Sequence, residues 1–173
     1  MRGRTFAILV AVGALLDQIG KHWAEQNVRP RMVVPVLEGF FELRYSLNTG
    51  AFFSFGSGFP PGFRRIFFVV APLLALGLII LVFRQTRLEQ KRLGWGLCLL
   101  AAGAVGNLVD RIRSGAVIDF LHLHYREVFH WATFNVADIW IAAGLVLLVL
   151  DMLWPQGEAA PTSAPQPRAA QEP

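Results

Sequence analysis

Four long apolar stretches constrain what this chain can fold into more than any other feature of its sequence. Each is long enough to cross a bilayer as a helix, which takes about 17–25 residues. Because the lipid interior offers no hydrogen-bond partners to the backbone, a helix is the conformation expected for each stretch. The predicted spans cover about residues 5–24, 66–84, 93–110 and 132–152.

The composition supports a membrane protein. Of the 173 residues, 54% are hydrophobic and 16% are charged, whereas soluble domains carry about 25% charged residues. A chain of this length is expected to form one domain. We therefore predict an all-α membrane protein in which residues 1–154 form a four-helix domain. The tail 155–173, rich in Pro and Ala, is expected to be disordered and cytoplasmic.

Basic residues indicate the orientation in the membrane. The start "MRGR" and the loop "RQTRLEQKR" between the second and third spans are densely basic, and short basic segments beside spans tend to face the cytoplasm. The opposite side carries a comparable total of arginines, but at lower density near the span ends. Both termini are therefore expected in the cytoplasm. The net charge of +4 is assigned to topology and anionic head groups, and no nucleic-acid partner is expected.

Two segments, 24–65 and 111–130, are then expected on the outer side. The first contains "FFELRYSLNTGAFFSF", in which apolar and polar residues alternate. Alternation with period two predicts a half-buried strand, and hence a small β-sheet lying against the membrane surface. The second segment is rich in aromatic residues and histidines. The single cysteine, Cys98, lies in an apolar stretch, which excludes an intrachain disulfide and a thiolate zinc site.

Polar residues recur near the span ends at helical spacing. Three pairs lie three or four positions apart, so the members of each pair share a helix face. An ionised aspartate near the bilayer centre costs about 2.5–3.5 kcal/mol, and ionisable residues in spans are therefore functional candidates. The pairs are Asp17 with Lys21, Asn107 with Asp110, and Asn135 with Asp138.

Asp119 lies on the connection between the last two spans, nineteen positions before Asp138. If these spans pack antiparallel, the two aspartates can face each other. Two carboxylates about 4 Å apart repel by about 4 kcal/mol at an effective dielectric near 20 when both are ionised, which is about three pKa units. Such a pair holds one proton at neutral pH and offers one acid and one base. It could activate water against a peptide carbonyl.

The elements "DQIGK", "NTGAFFSF", "GNLVDR", "VIDF" and "FNVAD", in this order, resemble the bacterial lipoprotein signal peptidase (signal peptidase II) family over about residues 5–152. The resemblance implies that Asp119 and Asp138 are the catalytic pair. It also implies a set of polar residues that support the pair or bind substrate: Asp17, Lys21, Asn48, Asn107, Asp110, Arg111 and Asn135.

The resemblance implies a four-helix aspartic endopeptidase of the bacterial inner membrane with an extracytoplasmic β-cradle after the first helix. Such an enzyme removes the signal peptide of a prolipoprotein by cutting just before the lipid-modified cysteine. The implied partners are lipidated prolipoprotein signal peptides, membrane phospholipid and globomycin-type peptide antibiotics, with no cofactor or metal. Gly20 and Phe52 depart from the pattern of the family, and both could reshape contacts with substrate or antibiotic.

Roles follow for the supporting residues. Asn107 and Asn135 are expected to fix the two carboxylates by hydrogen bonds, while Asp110 and Arg111 could pair to anchor a loop. Asn48 should meet the substrate backbone, and Gly50 permits the close approach of an extended peptide. The residues leave open which aspartate acts as the acid and which as the base, because an interacting pair titrates as a unit.

Two other functions fit part of the sequence. A zinc site formed by His122, His124 and His130 together with Asp119 is one alternative. A small transporter or proton-relay subunit would also place carboxylates in the membrane, although the four spans show no matching discontinuous halves. Substituting the acids would block ion flux in a transporter and signal-peptide release in a peptidase. A structural scaffold would not explain two N-x-x-D elements at one depth.

Overall fold

The computed structural model describes residues 1–50 and 58–154. Four helices within these ranges are long and apolar enough to cross a membrane, which confirms the predicted fold class. Phe52 and the tail 155–173 lie outside the described residues, so the expectations for them stay predictions. The helices are α1 (Gly3–Asn27), α2 (Pro61–Gln85), α3 (Lys91–Ser114) and α4 (Val136–Leu153).

The helix ends on the site side differ from the expected spans for local reasons. Helix α3 continues to Ser114 and ends at Gly115, whose φ of 77° is the left-handed conformation that glycine adopts readily at helix ends. Arg111 therefore belongs to the last turn of a helix and not to the outer segment. Helix α4 starts only at Val136, because Asn135 caps it: its side chain and that of Asp138 each accept the other's backbone N–H.

An antiparallel four-stranded sheet lies beyond the helix ends. Its strands follow one another in sequence order. The alternating segment forms the second strand, as predicted. The second outer segment supplies the other half of the sheet, which the sequence described only by its aromatic residues and histidines. The strands are β1 (Val33–Leu37), β2 (Phe41–Asn48), β3 (Val117–Tyr125) and β4 (Phe129–His130).

The pairing of β2 with β3 brings the chemistry of the two outer segments together. Ser46 lies opposite Asp119, and Asn48 lies opposite Val117. A small apolar cluster fastens this pair of strands to the end of α1. In that cluster Tyr45 from β2 and Phe120 from β3 are buried with residues from the last turn of α1. The sheet is thus fixed directly over the end of the bundle where α1 and α3 finish and α4 begins.

Helix α3 is the central helix of the bundle and packs against the other three. Glycines permit its close approach to α4. A Cβ at Gly144 would lie 2.8 Å from the carbonyl oxygen of Gly96, and a Cβ at Gly103 would overlap the carbonyl oxygen of Ala137. Small residues at such crossings let helix backbones meet in membranes. This contact carries the first turn of α4, and with it Asp138, against α3.

Candidate active site

The two aspartates predicted to pair lie on neighbouring elements at the outer end of the bundle. Asp119 is in β3 with only 3% of its surface exposed. Asp138 is in the first turn of α4 and is half-buried. The negative charge of Asp138 acts directly on Asp119. The capped start of α4 and the pairing of β3 with β2 therefore bring together two acids that are nineteen residues apart in sequence.

Both carboxylate oxygens of Asp119 accept hydrogen bonds. Asn135 Nδ2 donates to Oδ1 at 2.6 Å, and Asn48 Nδ2 donates to Oδ2 at 3.1 Å. Burial, reinforced by the charge of Asp138, raises the pKa of Asp119 from 3.8 to about 7. The two amide hydrogen bonds favour the charged form and lower the pKa, but desolvation outweighs them. Asp119 can therefore hold a proton near neutral pH.

Asp138 is held equally closely. Asn107 Nδ2 donates to its Oδ1 at 2.9 Å, and the backbone N–H of Asn135 donates to its Oδ2 at 3.1 Å. Asn135 Nδ2 also donates to Asn107 Oδ1 at 3.1 Å, so one amide group links the two halves of the site. The hydrogen bonds expected from Asn107 and Asn135 to the carboxylates are present.

Lys21 of α1 contacts Asn107 and fixes the orientation of its side-chain amide. Its ammonium donates to Asn107 Oδ1 at 2.8 Å, and an ammonium can only donate. The amide oxygen of Asn107 must therefore face Lys21, which turns its NH₂ group toward Asp138. Lys21 is also paired with Asp17 at 2.7 Å and with Asp110 at 2.9 Å. All three charged side chains are almost fully buried.

The two carboxylates around Lys21 also hold the backbone beside each catalytic candidate. Asp17 Oδ1 accepts the N–H of Ala137, which precedes Asp138, at 2.8 Å. Asp110 Oδ2 accepts the N–H of Ile118, which precedes Asp119, at 3.1 Å. The polar network of α1 and α3 thus holds α4 at Ala137 and β3 at Ile118, the residues that precede the two acids.

Arg111 does not pair with Asp110, contrary to the sequence-based expectation. Its guanidinium donates to the carbonyl oxygen of Gly50 at 3.3 Å and lies 5.4 Å from the ring centre of Phe68. Adjacent residues on a helix point in different directions, so Asp110 faces Lys21 while Arg111 faces the cradle and α2. Arg111 therefore holds the backbone at Gly50, two residues after the end of β2.

Asn48 faces the catalytic pair as well as the turn that follows it. Besides donating to Asp119, its side-chain oxygen accepts the backbone N–H of Gly50 at 3.0 Å. We expected this side chain to meet a substrate backbone. Its hydrogen bond to Asp119 fits the other role expected of this set of residues, which is to support the pair. The contact with substrate stays a prediction.

Gln18 is a member of the network that the sequence-based prediction missed. Its Nε2 donates to Asp110 Oδ1 at 2.9 Å and to the carbonyl oxygen of Gly106 at 3.0 Å. It completes the shell of donors around Asp110. The available signal was its place between the functional candidates Asp17 and Lys21, although a glutamine next to an acid is common enough to carry little weight by itself.

The three histidines considered as a zinc site gather around the β3–β4 hairpin. The rings of His122, His124 and His130 stack with centres 5.6–5.8 Å apart. His122 Nε2 and His130 Nδ1 are 3.3 Å apart, within hydrogen-bond distance. Within residues 1–50 and 58–154, no group of three or more His, Cys, Asp or Glu side chains is arranged to hold a metal ion.

Comparison with known proteins places this chain in a family. Residues 9–154 match the family described as "Signal peptidase (SPase) II". The chain belongs to the signal peptidase II family. The lipoprotein signal peptidase of Geobacter metallireducens is 42% identical over 87% of this chain and 91% of its own length. That of Syntrophus aciditrophicus is 41% identical over 88% of this chain and 94% of its own.

Solved structures agree with this fold. Two chains described as bacterial membrane enzymes superpose with TM-scores of 0.73 and 0.76 at 24% and 23% identity. The first alignment covers 87% of this chain and 88% of the solved one, and the second 89% and 96%. The helices and sheet described here are thus a fold that this chain shares with two bacterial membrane enzymes.

Proposed function

We propose that this protein is an aspartic endopeptidase that removes the signal peptide from diacylglyceryl-modified prolipoproteins, cutting just before the lipidated cysteine. The observation that carries the proposal is the pair of hydrogen-bonded carboxylates, Asp119 and Asp138, at the outer end of four apolar helices. Membership of the signal peptidase II family supports the same activity. The site lies at one end of the four apolar helices, where we expect a signal peptide to leave the membrane.

The pair works with one proton between its two carboxyl groups. The charged carboxylate takes a proton from a water molecule as the water oxygen attacks the scissile carbonyl carbon. The protonated carboxyl donates a hydrogen bond to the carbonyl oxygen, which gains negative charge. Collapse of the tetrahedral intermediate breaks the C–N bond, and a proton passes from the pair to the leaving amine. The surrounding amide groups keep both carboxylates in place throughout, so little reorganisation is needed.

The substrate reaches the site from the lipid phase. Its signal peptide and acyl chains are apolar, so it enters laterally between the helices of an inner-membrane enzyme rather than from water. The scissile bond is extended and needs hydrogen-bond partners once it leaves water, since each buried unmet group costs about 1–3 kcal/mol. We expect the end of β2 at Asn48 and Gly50, close to Asp119, to supply such partners.

The test is cleavage of a lipidated precursor by the purified full-length protein in lipid nanodiscs. Wild type should release the signal peptide from the lipidated precursor and not from the same precursor without lipid. Asp119→Asn and Asp138→Asn should each abolish release while the protein remains inserted, and Cys98→Ala should match wild type. Wild-type turnover by either Asn variant would rule out the carboxylate pair. Cleavage that needs an added zinc ion would favour the histidine cluster instead.

A further inference from the structure

An apolar groove of about 530 Å³ opens beside the catalytic pair, between α4 and the β3–β4 hairpin. The groove begins at Asp138 and continues one to two turns along α4, past Ala142 to Leu145. Leu123 and Trp131 of the hairpin close it on the outer side. Its volume falls in the range of about 300–1,000 Å³ that is usual for small-molecule sites.

We propose that this groove is an acyl-chain subsite, which holds one fatty chain of the diacylglyceryl group while the peptide bond is cut. The inference rests on the proposed function and adds where the lipid of the substrate lies. It assigns to the α4 residues Ile139, Ala142 and Leu145 a role in recognising acyl chains.

The walls of the groove suit a hydrocarbon better than a peptide. Apart from Asp138 at its start, the groove is lined by apolar side chains. A strand of peptide placed there would leave backbone groups without partners, at about 1–3 kcal/mol each, whereas a fatty chain has no such groups. A helical signal peptide is about 10 Å across, so about 530 Å³ would hold roughly one turn of it.

The position of the groove fits the covalent structure of the substrate. The lipidated cysteine directly follows the scissile bond, so its lipid must start within one residue of the catalytic pair. The groove includes Asp138 itself and opens to the lipid phase, where Ile139 and Leu145 are 43% and 51% exposed. Two other cavities lie away from the pair: one at the outer tip of the sheet beside Glu38, and one beside Phe6 on α1.

The groove should affect the rate of peptide-bond cleavage more than the affinity for the lipidated substrate. A fatty chain that enters it from the bilayer exchanges one apolar environment for another, so there is no hydrophobic gain to drive binding. The chain attached to the cysteine instead fixes where the scissile carbonyl sits relative to Asp119 and Asp138. A displacement of about 1 Å in such a geometry can cost about a hundredfold in rate.

The experiment fills the groove with a tryptophan side chain and varies the length of the acyl chains on the precursor. Ala142→Trp places an indole in the groove, and Val149→Trp places the same side chain on an exposed position of α4 outside its lining. Both variants and wild type are assayed in nanodiscs with dipalmitoyl and dibutanoyl forms of one precursor. We expect Ala142→Trp to cleave the palmitoyl form about ten- to a hundredfold more slowly than wild type and the butanoyl form nearly normally, and Val149→Trp to match wild type on both.

Two outcomes would overturn the proposal. If Ala142→Trp slows cleavage of the palmitoyl and butanoyl forms equally, the groove takes peptide. If Ala142→Trp and Val149→Trp slow cleavage equally, the substitutions act by disturbing the bilayer. Leu145→Ala, which widens the groove, provides a gain of function that does not depend on the folding of Ala142→Trp. It should cleave a precursor with methyl-branched phytanoyl chains several-fold faster than wild type does, and an unchanged rate would count equally against the subsite. Failure of wild type to cleave any lipidated form would refute the proposed function itself.

Discussion

At the scale of single residues, the raised pKa of Asp119 sets the pH range of the catalytic pair. The carboxyl is protonated below about pH 7 because burial and the charge of Asp138 disfavour its ionised form. Above that pH Asp119 loses its proton and can no longer act as the acid. We therefore predict that kcat/KM falls as pH rises through about 7, measured between pH 5 and 9 with the lipidated precursor. A flat profile across this range would contradict a shared proton.

A substitution of Asn48 tests whether Asp119 is the group whose protonation sets the pH profile. Its hydrogen bond to Asp119 lowers the pKa of that carboxyl, so Asn48→Ala should move the alkaline fall in kcat/KM to higher pH while reducing kcat/KM about ten- to a hundredfold. A residue that only binds substrate would raise KM upon substitution and leave the pH profile in place.

Because a raised pKa means that the folded protein holds the proton more tightly than the unfolded chain does, Asp119 also makes the fold less stable as pH rises from about 4 to about 7.

Lys21 is the residue on which the buried network depends for stability. Its single positive charge faces the carboxylates of Asp17 and Asp110 in a site closed to water. Removing one partner of a buried ion pair usually costs about 3–5 kcal/mol, so Lys21→Met should unfold at a clearly lower temperature in detergent. The double variant Lys21→Met with Asp17→Asn should recover part of that loss. No recovery would mean that the charges of Lys21 and Asp17 are not coupled.

The sequence predicted which polar residues lie together at one end of the bundle, but it predicted the contacts of some of them less well. Asn107 and Asn135 share a spacing with an acid on a helix, and helical spacing is a local property that can be read directly. The partners of Arg111 and Gln18 are not local: each depends on which way a helix turns in the bundle. Asp110 and Arg111 are neighbours in sequence, yet they point to different elements.

At the scale of elements, the strand β3 shows why the second half of the sheet was not predicted. Its buried residues include the polar Asp119 and His122. Hydrophobic alternation therefore does not mark its inner face. The strand β2, in contrast, carries alternating apolar residues and was predicted from the sequence alone. The pairing with β2, between residues about seventy to eighty positions apart in the chain, gives this polar segment its strand conformation.

The packing of α4 on α3 is expected to control the site through the position of Asp138. Gly144→Leu would place a side chain where a Cβ already lies 2.8–2.9 Å from Gly96 and Leu100, so the two helices must separate. We predict a lower unfolding temperature in detergent and a large loss of cleavage. Gly77→Leu on α2 is the matched control, because nothing lies within 4 Å of a Cβ at Gly77. If both variants behave alike, close packing of α3 and α4 is not what positions Asp138.

At the scale of the whole molecule, the bundle has two chemically different ends. The sheet and the carboxylate pair occupy one end. At the other, Met1 packs beside Gly94 near the start of α3, and Arg92 donates to the carbonyl oxygen of Trp154 at 2.6 Å. The chain start, the connection of α2 to α3 and the end of α4 therefore share one side. That side holds a dense set of basic residues: Arg2, Arg4, Arg84, Arg87, Lys91 and Arg92.

This arrangement predicts the orientation in the cell membrane. Densely basic short segments remain in the cytoplasm, so both termini should be cytoplasmic and the carboxylate pair should face the opposite side, where exported prolipoproteins emerge. A green fluorescent protein fused after residue 154 should fluoresce, and alkaline phosphatase fused there should be inactive. A phosphatase inserted in the hairpin at Glu127, on the sheet side, should be active and serves as the internal control. The reverse pattern would place the catalytic pair in the cytoplasm, away from its proposed substrates, and would contradict the function proposed here.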